Sequence, residues 1–415
     1  MTGFRFIHAA DLHLGSPLSG LALKDPQIAE RFAAAGRAAF SALIERALDE
    51  AVDFMIIAGD VYDGPWRDNH VGLFFNREVA RLTRAGIPVY LLRGNHDAES
   101  IVARTIAMPE GVHEFSTKRP QTFQIEKLKV ALHGQGFAER SVSENLALSY
   151  PAAEAGWFNI GVLHTSLSGR PPHAPYAPCT SDDLRSRGYD YWALGHVHAF
   201  EEVLREPLTL YPGNLQGRNI RETGEKGAVL VTVDEGRISY ERLIVDCARF
   251  EAVDVVVNPT MQDSNILQSI EEAAGRLCET ASQRVTALRV QLSGNHPAAG
   301  RIRASRRQWH DDVQAALQRV HADIWLEKLV INLHEPIEER TPEADGAMMD
   351  ITRLIDEIAK TPEAHEDAEA LIADIARRLP GSLAADETPL DATAKEVLEE
   401  AQAIIRTRLG LDGAA

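Results

Sequence analysis

Short apolar runs alternate with helical patterns through the first hundred residues, and this alternation limits the fold more than any other feature. FRFIHAAD, DFMIIAGD and PVYLLRGNHD are typical strand sequences, and the segments between them carry apolar residues at helical spacing. Such a strand, helix, strand rhythm indicates a largely parallel sheet with helices on its faces. Later runs up to about residue 245, such as NIGVLHTS and DYWALGHVH, are mostly strands joined by short turns. We therefore expect an α/β fold with more than one sheet.

The pattern changes after Cys247 and divides the rest of the chain into smaller parts. Strand and helix patterns alternate over a compact stretch, which predicts a small α+β unit. A stretch rich in proline and acidic residues follows and has the composition of a linker, and beyond it only helical patterns remain. The predicted domains are 1–247, 248–335, the linker 336–347 and a helical C-terminal region 348–415.

Most of the negative charge belongs to the C-terminal part of the chain. The net charge is -18, but residues 335–415 hold 20 acidic against 8 basic side chains, so the rest of the chain is only mildly acidic. A phosphodiester substrate elsewhere in the chain is therefore not excluded. The three cysteines, Cys179, Cys247 and Cys278, form no C-x-x-C motif, and no stretch of about 18 apolar residues occurs. These features predict a cytoplasmic protein that does not contact a membrane.

Five short motifs place polar side chains where apolar strand patterns end. They are AADLH, IIAGDVYD, RGNHD, VLHTS and LGHVH, which contain Asp11, His13, Asp60, Asp63, Asn95, His96, Asp97, His164, His196 and His198. The carboxyl ends of parallel strands gather at one edge of a sheet, where ligands bind. In extended backbone, residues two apart point the same way, so each D-x-H or H-x-H pair can aim both side chains into one cleft.

Seven of these side chains form a set of oxygen and nitrogen donors: Asp11, His13, Asp60, Asn95, His164, His196 and His198. The set is too large for one four-coordinate ion and suits two cations that share a carboxylate, the arrangement that hydrolyses phosphoesters. Without thiolate, it fits manganese, iron or zinc alike. A single histidine of this kind is as readily a packed core residue. Five polar clusters at five strand ends would be costly to bury without a ligand.

The order and spacing of these motifs resemble the calcineurin-like metallophosphoesterase superfamily, whose pattern is D-x-H, G-D-x-x-D, G-N-H-D, a lone H and G-H-x-H. HAADLHLGSP, HAPYAPC and YPGNLQGRNIRETGEKG further resemble DNA-repair nucleases of the SbcD type, most closely their bacterial YhaO branch. The resemblance implies an α+β sandwich of two packed β-sheets flanked by helices, with a small α+β cap domain and a helical C-terminal tail. It also implies a manganese-dependent DNA exonuclease of DNA repair, with endonuclease activity as a further option.

Residue roles follow from the resemblance by position. Asp11, His13, Asp60 and His198 would hold one metal ion, and Asp60, Asn95, His164 and His196 the other, with Asp60 bridging. His96 corresponds to a histidine that is not a ligand, which stabilises the transition state and protonates the leaving oxygen, and Asp97 would orient its ring. A histidine beside a carboxylate is also the usual general acid near neutral pH. Asp63 stands where several nucleases of the group have histidine, so a substrate-positioning role for it is open.

Two further stretches carry candidate substrate contacts. The loop SLSGRPPHAPYAP contains His173 and Tyr176, for which a DNA contact and ordinary loop packing are both open. In RIRASRRQWH, four arginines cluster beside Trp309, and they are Arg301, Arg303, Arg306 and Arg307. This pattern favours a surface that contacts phosphates with an aromatic nearby, although the solvated face of a helix has the same composition.

DNA and an SbcC-like coiled-coil ATPase subunit are the partners that the resemblance implies. In the family, helices after the cap dock on that ATPase, and the C-terminal region here has apolar residues at the spacing of one helical stripe, including Ile351, Leu354 and Ile358. The same helices would equally fold back as a subdomain, and a homodimer is also open. Two other functions remain as alternatives: a phosphodiesterase or phosphatase acting on small molecules, and a regulatory subunit of an ATPase complex.

Overall fold

The chain divides into two units in the computed structural model, which describes residues 3–16, 18, 26–63, 69–100, 107–167, 176–281, 284–335, 346–378 and 393–409. Unit 1 comprises Met1–Ser16, Arg31–Arg218 and Gly224–Ala248. Unit 2 comprises Pro17–Glu30, Asn219–Thr223 and Arg249–Ala415. The four predicted domain ranges stay a prediction, and most of the predicted linker, residues 336–345, lies outside the described residues.

Unit 1 is built on two six-stranded sheets. The first contains β1 (Phe4–Ala9), β2 (Phe54–Ile57), β3 (Val89–Leu91), β4 (Val112–Glu114), β11 (Gly227–Asp234) and β12 (Arg237–Ile244) in the order β12-β11-β1-β2-β3-β4. The second contains β5 (Gln121–Ile125), β6 (Val130–Gly134), β7 (Phe158–His164), β8 (Tyr191–Gly195), β9 (Glu201–Arg205) and β10 (Leu208–Tyr211) in the order β5-β6-β7-β8-β10-β9. The strands β1 to β4 pair in parallel, as do β6, β7 and β8.

The two sheets pack face to face through an aromatic core. Successive side chains of a strand point to opposite faces, so Phe4 and Phe6 of β1 enter the core between the sheets while Ile7 points to the helical side. Phe6 stacks on Phe54 at 4.9 Å between ring centroids and meets Tyr191 of the second sheet edge-on at 5.3 Å. Each fully buried side chain of this size contributes about 1.5–3 kcal/mol to stability.

Helices cover the outer faces of both sheets. On the first sheet, α1 (Pro26–Asp49) and α2 (Asn69–Arg84) bury Phe40, Leu43 and Phe75. The second sheet packs against the 3-10 turn Leu146–Ser149 and the short helix α4 (Ser181–Arg185), and the five-residue helix α3 (Asn95–Glu99) follows β3. The predicted fold class, two packed β-sheets flanked by helices, is confirmed.

Unit 2 contains a three-stranded sheet with its own core. Its strands β13 (Ala248–Val257), β14 (Val285–Asn295) and β15 (Ile324–His334) lie in that order. The helices between them are α5 (Asp263–Ala281), α6 (Ala299–Ala304) and α7 (Arg306–Val320). Apolar residues of α5 and α7, among them Ile270, Trp309 and Val313, are buried on the sheet. This is the strand and helix alternation that the sequence predicts.

Three C-terminal helices of unit 2 pack on one another and on α6: α8 (Gly346–Ala359), α9 (Pro362–Arg378) and α10 (Ala394–Arg408). Glu400 of α10 pairs with Arg306 at 3.3 Å, and Glu396 lies 3.6 Å from Lys328 of β15. The helices therefore fold back, which was one of the two expectations, yet Leu354 and Ile358 each remain 54% exposed. Among the helices in the described ranges, none combines the length and apolar content that crossing a bilayer requires.

Candidate metal centre

The predicted metal ligands follow the carboxyl ends of five strands drawn from both sheets of unit 1. They are Asp11 and His13 after β1, Asp60 after β2, Asn95 after β3, His164 at the end of β7, and His196 and His198 after β8. Parallel pairing aligns the ends of β1, β2 and β3 at one edge of the first sheet, and those of β7 and β8 at one edge of the second. Because the two sheets pack face to face, their ends meet in one site.

Asp60 stands between two groups of donor atoms. Its Oδ2 lies 3.3 Å from Nε2 of His164 and 3.8 Å from Nε2 of His13. Nε2 of His13 lies 3.2 Å from Nε2 of His198 on one side. On the other side, Nε2 of His164 lies 3.0 Å from Oδ1 of Asn95. This central position is the one that a shared carboxylate ligand requires.

The chemistry of the cluster fits divalent cations. Three overlapping triads bring ligand atoms within 4.8 Å of one another, and they are Asp11, His13 and His198; His13, Asp60 and His96; and Asp11, Asp60 and His164. Asp11 and Asp60 are 0% and 1% exposed, so both carboxylates are withdrawn from water. Burying two carboxylates together is costly without cations or donors to offset their charge. Carboxylate and imidazole ligands suit manganese, iron or zinc.

His196 joins the site through its backbone as well as its ring. Its backbone N–H donates to both carboxylate oxygens of Asp11, at 3.1 and 3.0 Å. Its ring lies 5.2 Å from the ring of His164 between centroids, and 5.2 Å from the ring of Tyr176. His196 therefore lies beside the three triads and helps to place one of their carboxylates.

The backbone at four predicted ligands is in the left-handed region, which non-glycine residues rarely adopt. The φ angles are 52° at Asp11, 42° at His13, 53° at Asp60 and 102° at His196. Each such residue costs on the order of 1–3 kcal/mol, and this kind of strain concentrates at functional sites. The surrounding structure must therefore hold the ligands in place.

Two glycines of the motifs are required because other residues of the site lie too close to them to leave room for a Cβ atom. A Cβ on Gly94 would overlap the carboxylate and the backbone nitrogen of Asp60. Gly59 has a φ of +98°, and a Cβ there would overlap the ring of His164. The glycines of G-D and G-N-H-D thus allow the two ligand loops and the His164 ring to approach one another.

Burial and charge act in opposite directions on the ligands. Burial lowers the pKa of His13 to about 3, and the nearby Arg218 adds to this effect. Burial also disfavours the charged form of His164, but the Asp60 carboxylate outweighs it and raises the pKa to about 9. The pKa of Asp60 itself lies well below its usual value, since His164 and His96 outweigh burial. Asp60 is therefore ionised at neutral pH, in the form that binds cations.

Asp63 contacts the ring of His96. Oδ1 of Asp63 lies 2.9 Å from Nδ1 of His96, and burial of the ring is outweighed by Asp60 and Asp63, so its pKa is raised. The Asp97 carboxylate instead accepts hydrogen bonds from the backbone N–H groups of Val61, Tyr62 and Gly94, at 3.1, 2.9 and 3.1 Å. These three donors hold the Asp97 carboxylate between the two ligand loops, and a role of Asp97 in orienting the ring of His96 stays a prediction.

Arg218 is a residue of this site that the sequence did not single out. Its Nη2 lies 3.2 Å from Nδ1 of His198, and its Nη1 lies 3.6 Å from Oδ2 of Asp63. Lys226 donates to the backbone carbonyl of His198 at 3.0 Å. Both cations belong to YPGNLQGRNIRETGEKG, a stretch noted only for its resemblance. Its basic residues close to a glycine turn were the available signal.

The other predicted substrate residues belong to both units. Tyr176 lies beside His196, as described, while His173 is outside the described residues. Arg301 makes two hydrogen bonds to Asp263, at 3.0 and 2.7 Å, and Arg306 pairs with Glu400. Arg303 donates to the carbonyl of Ala299 at 3.4 Å, and Arg307 is exposed on α7. Three of the four arginines therefore have partners within unit 2, and for Arg301 and Arg306 the partner is a carboxylate.

Comparison with known proteins gives matches over both units. The model of the calcineurin-like phosphoesterase family matches residues 4–200, and that of the middle domain of metallophosphoesterase YhaO matches residues 250–334. The uncharacterized metallophosphoesterase YhaO of Bacillus subtilis (strain 168) is 38% identical over 301 residues, which cover 72% of this chain and 73% of that protein.

More distant similarities extend the comparison. The DNA double-strand break repair protein Mre11 of Methanopyrus kandleri is 24% identical over 274 residues, 59% of this chain and 58% of that protein. The crystal structure of TT1561 of Thermus thermophilus matches at 12% identity with a TM-score of 0.34, over 58% of this chain and 99% of that one.

Proposed function

Because the chain belongs to the calcineurin-like metallophosphoesterases, and within them to the YhaO group, we propose that it is a metal-dependent DNA exonuclease acting in DNA repair. The observation that carries the proposal is the group of buried donors around Asp60, with His96 at its rim. Phosphoester hydrolysis follows from the family and from this chemistry. DNA as the substrate is supported by the similarity to Mre11, a DNA double-strand break repair protein.

Two cations would be held on either side of Asp60. Asp11, His13 and His198 would hold one ion together with Asp60, and Asn95, His164 and His196 would hold the other with it. When bound, divalent cations supply polarisation of the phosphoryl oxygens and a nucleophilic water at neutral pH. We propose manganese as the physiological metal, with iron and zinc as the alternatives that the same donors accept.

His96 is the residue that would protonate the leaving oxygen. Asp63 holds Nδ1 of the ring at 2.9 Å and favours its protonated form, so the proton for the departing sugar oxygen would leave from Nε2. The backbone N–H of His96 donates to Oδ1 of Asp60 at 2.9 Å, which fixes the residue relative to the central carboxylate. The ring is 17% exposed, so a phosphodiester can reach it from the cleft.

DNA contacts outside the reacting phosphate are proposed for the arginines of unit 2. Arg307 is exposed and Arg303 is half-buried, so both can meet phosphates. The engagement of Arg301 with Asp263 and of Arg306 with Glu400 favours the alternative function, a phosphodiesterase for small molecules that needs no such surface. The size of the substrate that the protein cleaves therefore distinguishes a DNA exonuclease from a phosphodiesterase for small molecules.

The exposed apolar residues of the C-terminal helices support a protein partner. Leu354 and Ile358 of α8, Leu371 of α9 and Ile404 of α10 are each more than 40% exposed. An SbcC-like coiled-coil ATPase subunit remains our proposal for that partner, since apolar helix faces pack on other helices. A cytoplasmic location and a homodimer also remain predictions.

Purified protein incubated with manganese tests the function directly. We expect cleavage of end-labelled duplex or single-stranded DNA, and its loss in the Asn95→Ala and His96→Ala variants. His365→Ala, an exposed histidine of α9, is the matched control and should cleave as the unmodified protein does. Cleavage of small diesters alone, lost in the same two variants, would overturn the nuclease assignment and leave the smaller-substrate phosphodiesterase.

A further inference from the structure

We propose that Arg218 binds a non-bridging oxygen of the phosphodiester that is cleaved, as a catalytic residue in addition to the metal ligands and His96. The inference rests on the proposed phosphodiesterase function and names a contact to its substrate. Nη2 of Arg218 is 3.2 Å from Nδ1 of His198, and Nη1 is 3.6 Å from Oδ2 of Asp63.

Arg218 belongs to the rim of the site and not to its buried centre. The side chains of His13 and Asp60 are 1% and 2% exposed. Asp63, His96 and Arg218 keep 14%, 17% and 15% of their side chains exposed. These three side chains are therefore partly open to solvent, where a phosphodiester can meet them. His96 and Arg218 both contact Asp63, so the proton donor and the guanidinium lie close to one another at the rim.

The guanidinium of Arg218 is better suited to bind a phosphate than to orient the metal ligand His198. A histidine that binds a metal through Nε2 ordinarily donates its Nδ1–H to an acceptor. Arginine has five N–H donors and no acceptor, so Arg218 cannot supply that acceptor to His198. Its forked donors match two oxygens of a phosphate. The 3.6 Å contact between Nη1 and Oδ2 of Asp63 is an ion pair longer than a hydrogen bond.

Local charge leads to the same conclusion. Asp11, Asp60 and Asp63 bring three carboxylates to the site, and an anionic diester must approach them. Cations at the ligands would offset the two buried carboxylates, while Asp63 at the rim is met by Arg218. A fixed positive charge beside the reacting phosphate stabilises the charge that develops on its oxygens in the transition state.

The experiment compares Arg218→Gln and Arg218→Lys with Arg242→Gln, an arginine of β12 that pairs with Glu225 and lies over the ring of Phe200. Substrates are duplex DNA and bis(p-nitrophenyl) phosphate, with manganese. Removing one fixed positive donor should lower kcat/KM about 100-fold for both substrates in Arg218→Gln. Arg218→Lys, which keeps a point charge but not the fork, should lose about 10-fold, and Arg242→Gln should match the unmodified protein.

Two binding measurements separate this proposal from the others. Calorimetric titration should give the same manganese affinity for Arg218→Gln as for the unmodified protein. Inorganic phosphate should bind the manganese-loaded variant at least about 10-fold more weakly. Unchanged kinetics and unchanged phosphate affinity would refute the role of Arg218. Weaker manganese binding, with full activity restored by excess manganese, would refute it too, because Arg218 would then only support His198.

A different result would refute the proposed function itself. If neither the unmodified protein nor Arg242→Gln hydrolyses either diester, the nuclease and phosphodiesterase assignments fall. The phosphate affinity of the manganese-loaded Arg218→Gln protein still decides whether this residue forms an anion site.

Discussion

Asp63→Asn tests how the site prepares its proton donor. The substitution keeps the size of the side chain and removes its charge, while Oδ1 can still accept from His96 Nδ1. The Asp63 carboxylate raises the pKa of His96, so the variant should have a lower pKa there. A general acid must be protonated to act, and the alkaline limb of the kcat profile should therefore move to lower pH.

The size of the effect follows from the 2.9 Å contact. At that distance and an effective dielectric constant of about 20, Coulomb's law gives a ceiling of roughly 6 kcal/mol for the bare charges. Hydrogen bonds to charged groups contribute about 1.5–3 kcal/mol in proteins, and this range is the realistic one. It corresponds to about a 10- to 150-fold lower kcat for a reaction that needs the proton.

The assay uses leaving groups that differ in their need for a proton. A sugar alkoxide is a poor leaving group and requires protonation, whereas a nitrophenolate departs without it. Asp63→Asn should therefore slow DNA cleavage by the full factor and change bis(p-nitrophenyl) phosphate hydrolysis less than about threefold. Asp182→Asn, whose exposed carboxylate pairs with Arg185, is the control and should behave as the unmodified protein.

Equal losses on both substrates would refute this reasoning. They would show that Asp63 supports the site as a whole, through its 3.5 Å contact with Nδ1 of His13, and not the proton transfer alone. If the pH profile and the rate of DNA cleavage are both unchanged, His96 is not a general acid whose pKa depends on Asp63.

Three further predictions concern the site, the core and the C-terminal helices. Gly94→Ala places a Cβ against the Asp60 carboxylate and should weaken manganese binding at least about 10-fold by calorimetry, while Gly36→Ala, which meets nothing within 4 Å, should not. Burial lowers the pKa of His8 to about 3, below its unfolded value of 6.5, so its contribution to stability is present above pH 6.5 and is lost towards pH 3. The loss amounts to about 2 kcal/mol at pH 5, and urea unfolding at pH 7 and 5 should show a smaller difference in His8→Gln than in the unmodified protein. Glu400→Gln removes the carboxylate that pairs with Arg306 and should change the free energy of unfolding by less than about 1 kcal/mol. It should also steepen the salt dependence of DNA binding by about one unit of slope in fluorescence anisotropy, and an unchanged slope would show that Arg306 does not contact phosphate.

The sequence predicted which residues meet, because strand ends in a parallel sheet converge whatever the loops between them do. Asp60 and His198 are 138 positions apart in the chain, and both contact His13. The directions of side chains within the loops could not be predicted in this way. The resemblance implies that Asp97 orients the ring of His96, whereas the hydrogen bonds of its carboxylate to the backbone of Val61 and Tyr62 have no signal in the sequence.

Arg218 could not be assigned from sequence for a related reason. It belongs to a loop between β10 and β11 whose sequence was noted only for its resemblance, and its approach to His198 depends on the conformation of that loop. Periodicity describes strands and helices, and a contact made by a single loop side chain leaves no repeating signal. The exposed apolar residues of α8 are a case in which periodicity does give a signal but an incomplete one. Helical spacing identifies an apolar face of the helix, and it does not tell which residues cover that face.

The site is held together by hydrogen bonds that run from one ligand loop to the next. The backbone N–H of His196 donates to Asp11, and that of His96 donates to Asp60. Asp97 in turn accepts from the backbone of the loop that carries Asp60. Each ligand carboxylate is thereby placed by a residue from another motif, and these contacts offset the strain of the left-handed residues. Cooperative placement of this kind explains why single motifs are weak signals of the site, whereas the five motifs together specify it.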